Sequence, residues 1–283
     1  MLGFLGLFGL AMGGFVVLRT DDEYDTDDGA EDSGGDQTGG LDRLLDASDG
    51  DVLSMVETDV NAPVDDIYKP IPDGTQNDPK YIVDDQIDGT AGDDTLTGAS
   101  GDDLLDGLDG DDVLIGKDGD DVLSGGAGND TLISGDGDDV LLGGDGDDIL
   151  QGGFGDDVLV GGDGRDVMFG GWDDDILDGD DADQSADILN GGEGDDTLIG
   201  GDGDVMYGGG GADLFITRVD AESTIADFDA SEDTIELTYW DDTPELSTET
   251  DDDGLTLLAD GVPTARLLGI SELDLSSVVL TRN

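Results

Sequence analysis

One nine-residue motif repeats from Gly89 to Ile216 and constrains the fold more than any other feature of this chain. The motif is glycine, glycine, any residue, glycine, any residue, aspartate, any residue, a large apolar residue and any residue, as in Gly143–Gln151. Of the fourteen units, twelve contain nine residues, the unit at Gly179 contains twelve and the unit at Gly200 contains eight. Such a fixed period predicts a solenoid, in which each unit packs mainly on its neighbours.

Positions six and eight of the motif carry its chemical information. Position six is Asp in all fourteen units, and position eight is Leu in eleven units, Met in two and Phe in one. A solvated acidic linker would not hold a carboxylate and an apolar side chain in fixed phase. The glycines at positions one, two and four permit positive φ angles and a close approach of the backbone to an ion. Each unit therefore predicts a turn that carries a carboxylate, followed by a strand whose position-eight side chain points inward.

The charge of the chain limits its partners. There are 75 acidic residues and 9 basic residues, with a formal net charge of −66. Binding of nucleic acid, or of an anionic membrane surface through a basic patch, would need many more basic side chains. The chain has no His and no Cys, so it lacks the ligands that zinc and copper prefer. Carboxylates and backbone carbonyls are hard oxygen ligands, which favour calcium.

The motif resembles the RTX family, also called hemolysin-type calcium-binding repeats. The resemblance implies an all-β fold, a parallel β-roll with two units per turn and about seven turns, and Ca²⁺ held between stacked loops. It also implies that the sixth-position carboxylates bind the metal. The residues concerned are Asp94, Asp103, Asp112, Asp121, Asp130, Asp139, Asp148, Asp157, Asp166, Asp175, Asp187, Asp196, Asp204 and Asp213.

Several units depart from the motif. Thr90, Ala99, Leu108 and Lys117 replace the second glycine, so we expect the first four loops to bind calcium more weakly. Asp173 replaces a fourth-position glycine, which puts the loop around it in doubt. The insertion 180–185 and the missing residue near Asp204 are expected to distort the neighbouring sites.

The regions flanking the repeat suggest four parts. Residues 1–18 are apolar and predict a membrane anchor or an atypical signal peptide, or else an element packed on the domain. Residues 19–80 predict an acidic, disordered linker, and 81–216 the roll, with Tyr81–Val83 and Ile87 as a capping strand. Residues 217–283 predict a small C-terminal β-rich cap. Its predicted strands are Thr224–Phe228, Thr234–Leu237, Leu255–Leu258, Thr264–Leu268 and Val278–Leu280.

The function implied is calcium binding by a roll that folds on binding Ca²⁺ outside the cell, secreted or attached to the surface, with a structural or adhesive role and no enzymatic activity. Ile225–Leu237 resembles the stretch that follows the roll in RTX proteins, whose C-terminal region carries a type I secretion signal. The alternatives are a secreted enzyme with a carboxylate active site and a membrane-active RTX toxin. Membrane contact is expected only through residues 1–18.

Overall fold

The computed structural model describes residues 85–179, 185–240 and 242–282. The predicted hydrophobic segment 1–18, the acidic linker 19–80 and the predicted strand Tyr81–Val83 lie outside these residues. Ile87 lies in the first strand of the structure, as predicted. Within the described residues, no helix has the length and apolar character needed to cross a membrane.

The described residues form β-strands joined by short loops. In chain order the strands are β1 (Asp85–Asp88), β2 (Thr95–Thr97), β3 (Asp103–Asp109), β4 (Val113–Asp118), β5 (Val122–Ala127), β6 (Thr131–Asp136), β7 (Val140–Asp145), β8 (Ile149–Phe154), β9 (Val158–Asp163), β10 (Val167–Trp172), β11 (Ile176–Asp178), β12 (Ile188–Glu193), β13 (Thr197–Gly200), β14 (Val205–Gly210), β15 (Leu214–Arg218), β16 (Ser223–Ile225), β17 (Thr234–Tyr239), β18 (Leu246–Thr250), β19 (Gly254–Ala259), β20 (Val262–Leu268) and β21 (Val279–Arg282).

These strands form two sheets, and successive strands of the repeat alternate between them. Sheet A has the order β1-β3-β5-β7-β9-β11-β13-β15-β17-β21, and sheet B has the order β18-β19-β20-β16-β14-β12-β10-β8-β6-β4-β2. In the regular part of the repeat, paired strands are parallel and paired residues are 18 apart, as Val122 with Val140. Two units therefore make one turn. The predicted all-β, parallel β-roll is confirmed, with about eight turns instead of seven.

The position-eight side chains form the core of the roll. Successive side chains of a strand point to opposite faces, so one residue per strand faces the interior. Leu105, Leu123 and Leu141 of sheet A and Leu114 and Leu132 of sheet B are all completely buried. The column of large apolar side chains read from the sequence is therefore the column that packs between the two sheets.

The roll extends beyond the fourteen units at both ends. At one end, Ile87 of β1 pairs with Leu105 and packs against the core. At the other end, Ile225 of β16 and Ile235 of β17 are buried and continue the position-eight column. These strands lack the glycines of the motif, so the motif count gives too few turns.

The C-terminal strands close the other end of the two sheets. β18, β19 and β20 pair antiparallel, β20 pairs parallel with β16, and β21 pairs parallel with β17. The predicted strands of this region correspond to β16, β17, β19, β20 and β21. Strand β18 escaped prediction because Leu246 is its only apolar residue and the rest of the strand is polar and exposed.

Candidate metal centre

The sixth-position aspartates form a continuous ladder of hydrogen bonds along the roll, here called the Asp ladder. The backbone N–H of Asp130 donates to Oδ1 of Asp148 at 2.7 Å, and the N–H of Asp148 donates to Oδ1 of Asp166 at 2.8 Å. The same bond joins each of the other rungs from Asp94 to Asp213, except Asp204, to the next turn. All fourteen predicted metal ligands belong to this ladder.

The ladder continues through the two irregular units. The N–H of Asp166 donates to Oδ1 of Asp187 at 2.8 Å across the twelve-residue unit, and the N–H of Asp187 donates to Oδ1 of Asp204 at 2.9 Å across the eight-residue unit. The distortion expected at these two rungs is therefore absent from the ladder bonds. Residues 180–184 of the insertion lie outside the described residues.

Burial of these carboxylates is nearly complete. Asp94 is partly exposed, but the other thirteen predicted ligands have at most 2 % of their surface exposed. A buried carboxylate without a counter-charge is unfavourable, so such a row requires an explanation.

In seven units of the roll the second carboxylate oxygen, Oδ2, is buried and has no hydrogen-bond partner. An unpaired buried oxygen costs free energy unless a cation or a donor satisfies it. The buried Oδ2 atoms without a protein partner include those of Asp112, Asp121, Asp130, Asp148, Asp157, Asp175 and Asp196.

Each of these oxygens faces a small space lined by other oxygens. A Cβ atom placed on the first-position Gly143 would lie 2.4 Å from Oδ2 of Asp148 and 2.4 Å from the carbonyl oxygen of Gly161. Glycine is therefore favoured at position one, because a side chain would enter this space. The exception among the fourteen units is Ser134, whose hydroxyl donates to the carbonyl oxygen of Gly152 at 3.0 Å. A buried carboxylate and a backbone carbonyl that converge on one point suit a hard cation such as Ca²⁺.

The pKa values of the ladder carboxylates also indicate that a cation is needed. Burial, and to a smaller extent the neighbouring carboxylates, raises the pKa of Asp148 to about 8, although the N–H donated by Asp130 opposes the shift. The same causes raise the pKa of Asp157 to about 8 and that of Asp175 to about 9. Without a cation these groups would hold protons near neutral pH, since their charged forms are poorly solvated and repel one another.

The sequence comparisons agree with this geometry. The RTX calcium-binding nonapeptide repeat family (4 copies) matches residues 83–114, 106–141, 115–150, 151–183 and 181–215. Residues 83–215 are an RTX repeat region. The fit to calcium therefore rests on the family and, independently, on the buried Oδ2 atoms of the RTX loops.

One solved structure similar to this chain is the extracellular lipase LipA from Serratia marcescens, with 18 % sequence identity and a TM-score of 0.30. The match covers 68 % of this chain, which spans 39 % of the length of the lipase. No protein of curated function matches the chain significantly.

Two residues outside the predicted ligands extend the RTX ladder. The N–H of Asp85 donates to Oδ1 of Asp103 at 2.9 Å, and Oδ1 of Asp233 accepts the N–H of Asp213 at 3.1 Å. Neither residue lies in a glycine motif. The only signal was the spacing Asp-x-Ile, which places Ile87 and Ile235 at position eight.

Asp173 keeps the loop geometry that its replacement of glycine put in doubt. It adopts a positive φ of 74°, of the same sign as the larger values at the fourth-position glycines, such as 122° at Gly164 and 153° at Gly194. The following Asp174 donates its N–H to Oδ1 of Asp156, so the stacking of the loops continues. A left-handed conformation costs a non-glycine residue about 1–2 kcal/mol, which the neighbouring turns must compensate.

Proposed function

We propose that this protein is a secreted or surface-attached RTX roll that folds on binding Ca²⁺ and has a structural or adhesive role without catalysis. The observation that carries the proposal is the row of buried Oδ2 atoms without protein partners, in a chain whose formal charge is −66. Bound Ca²⁺ would supply the positive charge that these carboxylates lack. The ladder aspartates whose Oδ2 lacks a partner, such as Asp148, and the first-position carbonyls would hold the ion.

A structural role is favoured over catalysis by where the perturbed carboxylates lie. The pKa values raised furthest belong to Asp148, Asp157 and Asp175, all rungs of the ladder. The surface cleft between β18 and β19, lined by Glu245, Ser247 and Asp260, holds none of them. The raised pKa values come from burial of the ladder carboxylates, which bound calcium would compensate, and need no active site to account for them.

A single substitution in the ladder tests calcium binding at defined sites. Asp148→Asn removes a buried charge and one oxygen ligand, so we expect fewer bound ions and about ten-fold weaker calcium affinity, measured by isothermal titration calorimetry. The matched control is Asp145→Asn, in the same unit, because Asp145 is exposed. Equal effects of the two substitutions would show diffuse attraction of counterions instead of site binding, and would contradict the proposal.

The extracellular location follows from calcium affinity. Extracellular calcium modules typically bind at about 10⁻⁴ to 10⁻³ M, weaker than cytosolic sensors, so such a roll would stay unfolded inside the cell and fold after export. Fractionation of the native host should therefore recover the protein at the surface or in the medium. If residues 1–18 are an anchor, their deletion should move it from the surface to the medium. Full-length protein found only in the cytosol would contradict this location.

A further inference from the structure

The Oδ2 atoms of the Asp ladder fall into two classes. In the seven units named above, Oδ2 has no hydrogen-bond partner, as for Asp130 and Asp148. Near the ends the loop itself satisfies them. Oδ2 of Asp94 accepts the N–H of Thr90 at 2.6 Å and its hydroxyl at 2.7 Å, and Oδ2 of Asp103 accepts the N–H of Ala99 at 2.6 Å.

The same closure occurs at the C-terminal end of the roll. Oδ2 of Asp204 accepts the N–H of Gly201 at 2.6 Å, and Oδ2 of Asp233 accepts the N–H of Asp229 at 2.7 Å. For Asp94, Asp103 and Asp204 the donor is the residue at position two of the same unit, and Asp229 has the equivalent place four residues before Asp233. We call these four loops closed, and we call the loops whose Oδ2 lacks a partner open.

The backbone at position two separates the classes. In the closed loops this residue lies outside the left-handed region of φ. In open loops it has a φ between 76° and 141°. The position-two residues of these open loops are Leu108, Lys117, Gly126, Gly144, Gly153, Gly171 and Gly192.

A positive φ turns the position-two N–H away from the Asp of its own unit. The N–H of Leu108 donates to Oδ1 of Asp106, although Leu108 shares a unit with Asp112. The N–H of Gly209, whose φ is 102°, donates to Oδ2 of Asp227. Leu108 and Lys117 adopt this conformation without being glycine, so the openness of their loops does not come from sequence preference alone.

We propose that the position-two conformation decides which rungs bind calcium: open loops take the ion, and closed loops replace it with their own N–H. This inference rests on the proposed calcium-binding function and refines it. In a closed loop Oδ2 already accepts a hydrogen bond, and an incoming ion would have to break that bond. The roll then has calcium-independent loops at both ends and calcium-dependent loops between them.

Lys117 gives the N-terminal end a further internal donor. Its ammonium group donates to the carbonyl oxygen of Gly98, the first-position residue of the closed loop that contains Ala99. First-position carbonyls line the oxygen-rich spaces of the open loops, as that of Gly161 does beside Asp148. The ammonium group of Lys117 therefore binds a first-position carbonyl oxygen, the kind of oxygen that faces the calcium space in an open loop.

Counting bound ions by native mass spectrometry at saturating calcium tests the inference. Ala99→Gly removes the barrier to a positive φ and should add one Ca²⁺ per chain, as should Thr90→Gly. Ala91→Gly is the matched control and should add none, because Ala91 is at position three of its unit. Asp103→Asn should leave the number of ions unchanged, whereas Asp148→Asn should lower it.

The failure of this inference is distinguishable from that of the proposed function. If the parent protein binds calcium but Asp103→Asn loses an ion, or if neither Ala99→Gly nor Thr90→Gly gains one, the division into open and closed loops is wrong and calcium binding stands. If the parent protein binds no calcium, the proposed function itself is overturned.

Discussion

Metal-free protein at pH 8 is expected to give the far-ultraviolet circular dichroism spectrum of an unstructured chain, and calcium added to about 1 mM should convert it to a β-sheet spectrum. The reason is that each unit buries one large apolar side chain while nine residues lose conformational freedom. Repulsion within the Asp ladder adds to this cost. Folding and calcium binding should therefore be one event.

Magnesium at the same concentration provides the control for this transition. Mg²⁺ is smaller and gives up its water reluctantly, so it should fold the roll much less effectively than Ca²⁺. Equal effects of the two ions would indicate general charge screening. A β-rich spectrum in the presence of EDTA would contradict the requirement for calcium outright.

Lowering the pH from about 9 to about 5 without any metal is expected to increase the β-sheet signal. The pKa values of ladder aspartates are raised in the roll, from about 6 for Asp139 and Asp213 to about 9 for Asp175, against a normal value of 3.8. The folded roll thus binds more protons than the unfolded chain, and the stabilisation from these protons is lost as the pH rises towards 9. Acid should partly substitute for calcium.

Calcium binding should show the opposite dependence on pH. The ion must displace protons from the same carboxylates, so its apparent affinity should rise between about pH 6 and pH 9. Circular dichroism of metal-free protein at several pH values, with a calcium titration at each, measures both effects. A metal-free protein that is least structured at pH 5 would refute the raised pKa values and their cause.

The periodic part of the structure was predictable because two physical constraints have the same period. The strand needs an apolar residue at position eight, and the turn favours glycine at position one beside the Asp carboxylate, as at Gly143 and Asp148. Both constraints repeat every nine residues, so the parallel roll and its Asp ladder followed from the motif. Asp85 and Asp233 did not follow, since no motif glycines precede them in the sequence.

The distinction between open and closed loops was only partly visible in the sequence. Thr90, Ala99, Leu108 and Lys117 all lack the second glycine, and all four loops were expected to behave alike. The structure separates them, because Leu108 and Lys117 are held at positive φ while Thr90 and Ala99 are not. Stacking on adjacent turns overrides local preference there. Gly201 is a glycine in a closed loop, but its unit is one residue short, so it lies three residues before its Asp instead of four.

The direction of the ladder hydrogen bonds gives the roll a polarity of growth. The N–H of each rung donates to the carboxylate of the following turn, as Asp130 does to Asp148. A newly formed turn therefore presents an amide that is left to water until the next segment towards the C-terminus supplies its carboxylate. Each turn acts as a template for its successor. At Ser223, which occupies a position-six site of sheet B, the hydroxyl bonds to Thr217 instead, and growth of that row ends where the antiparallel strands begin.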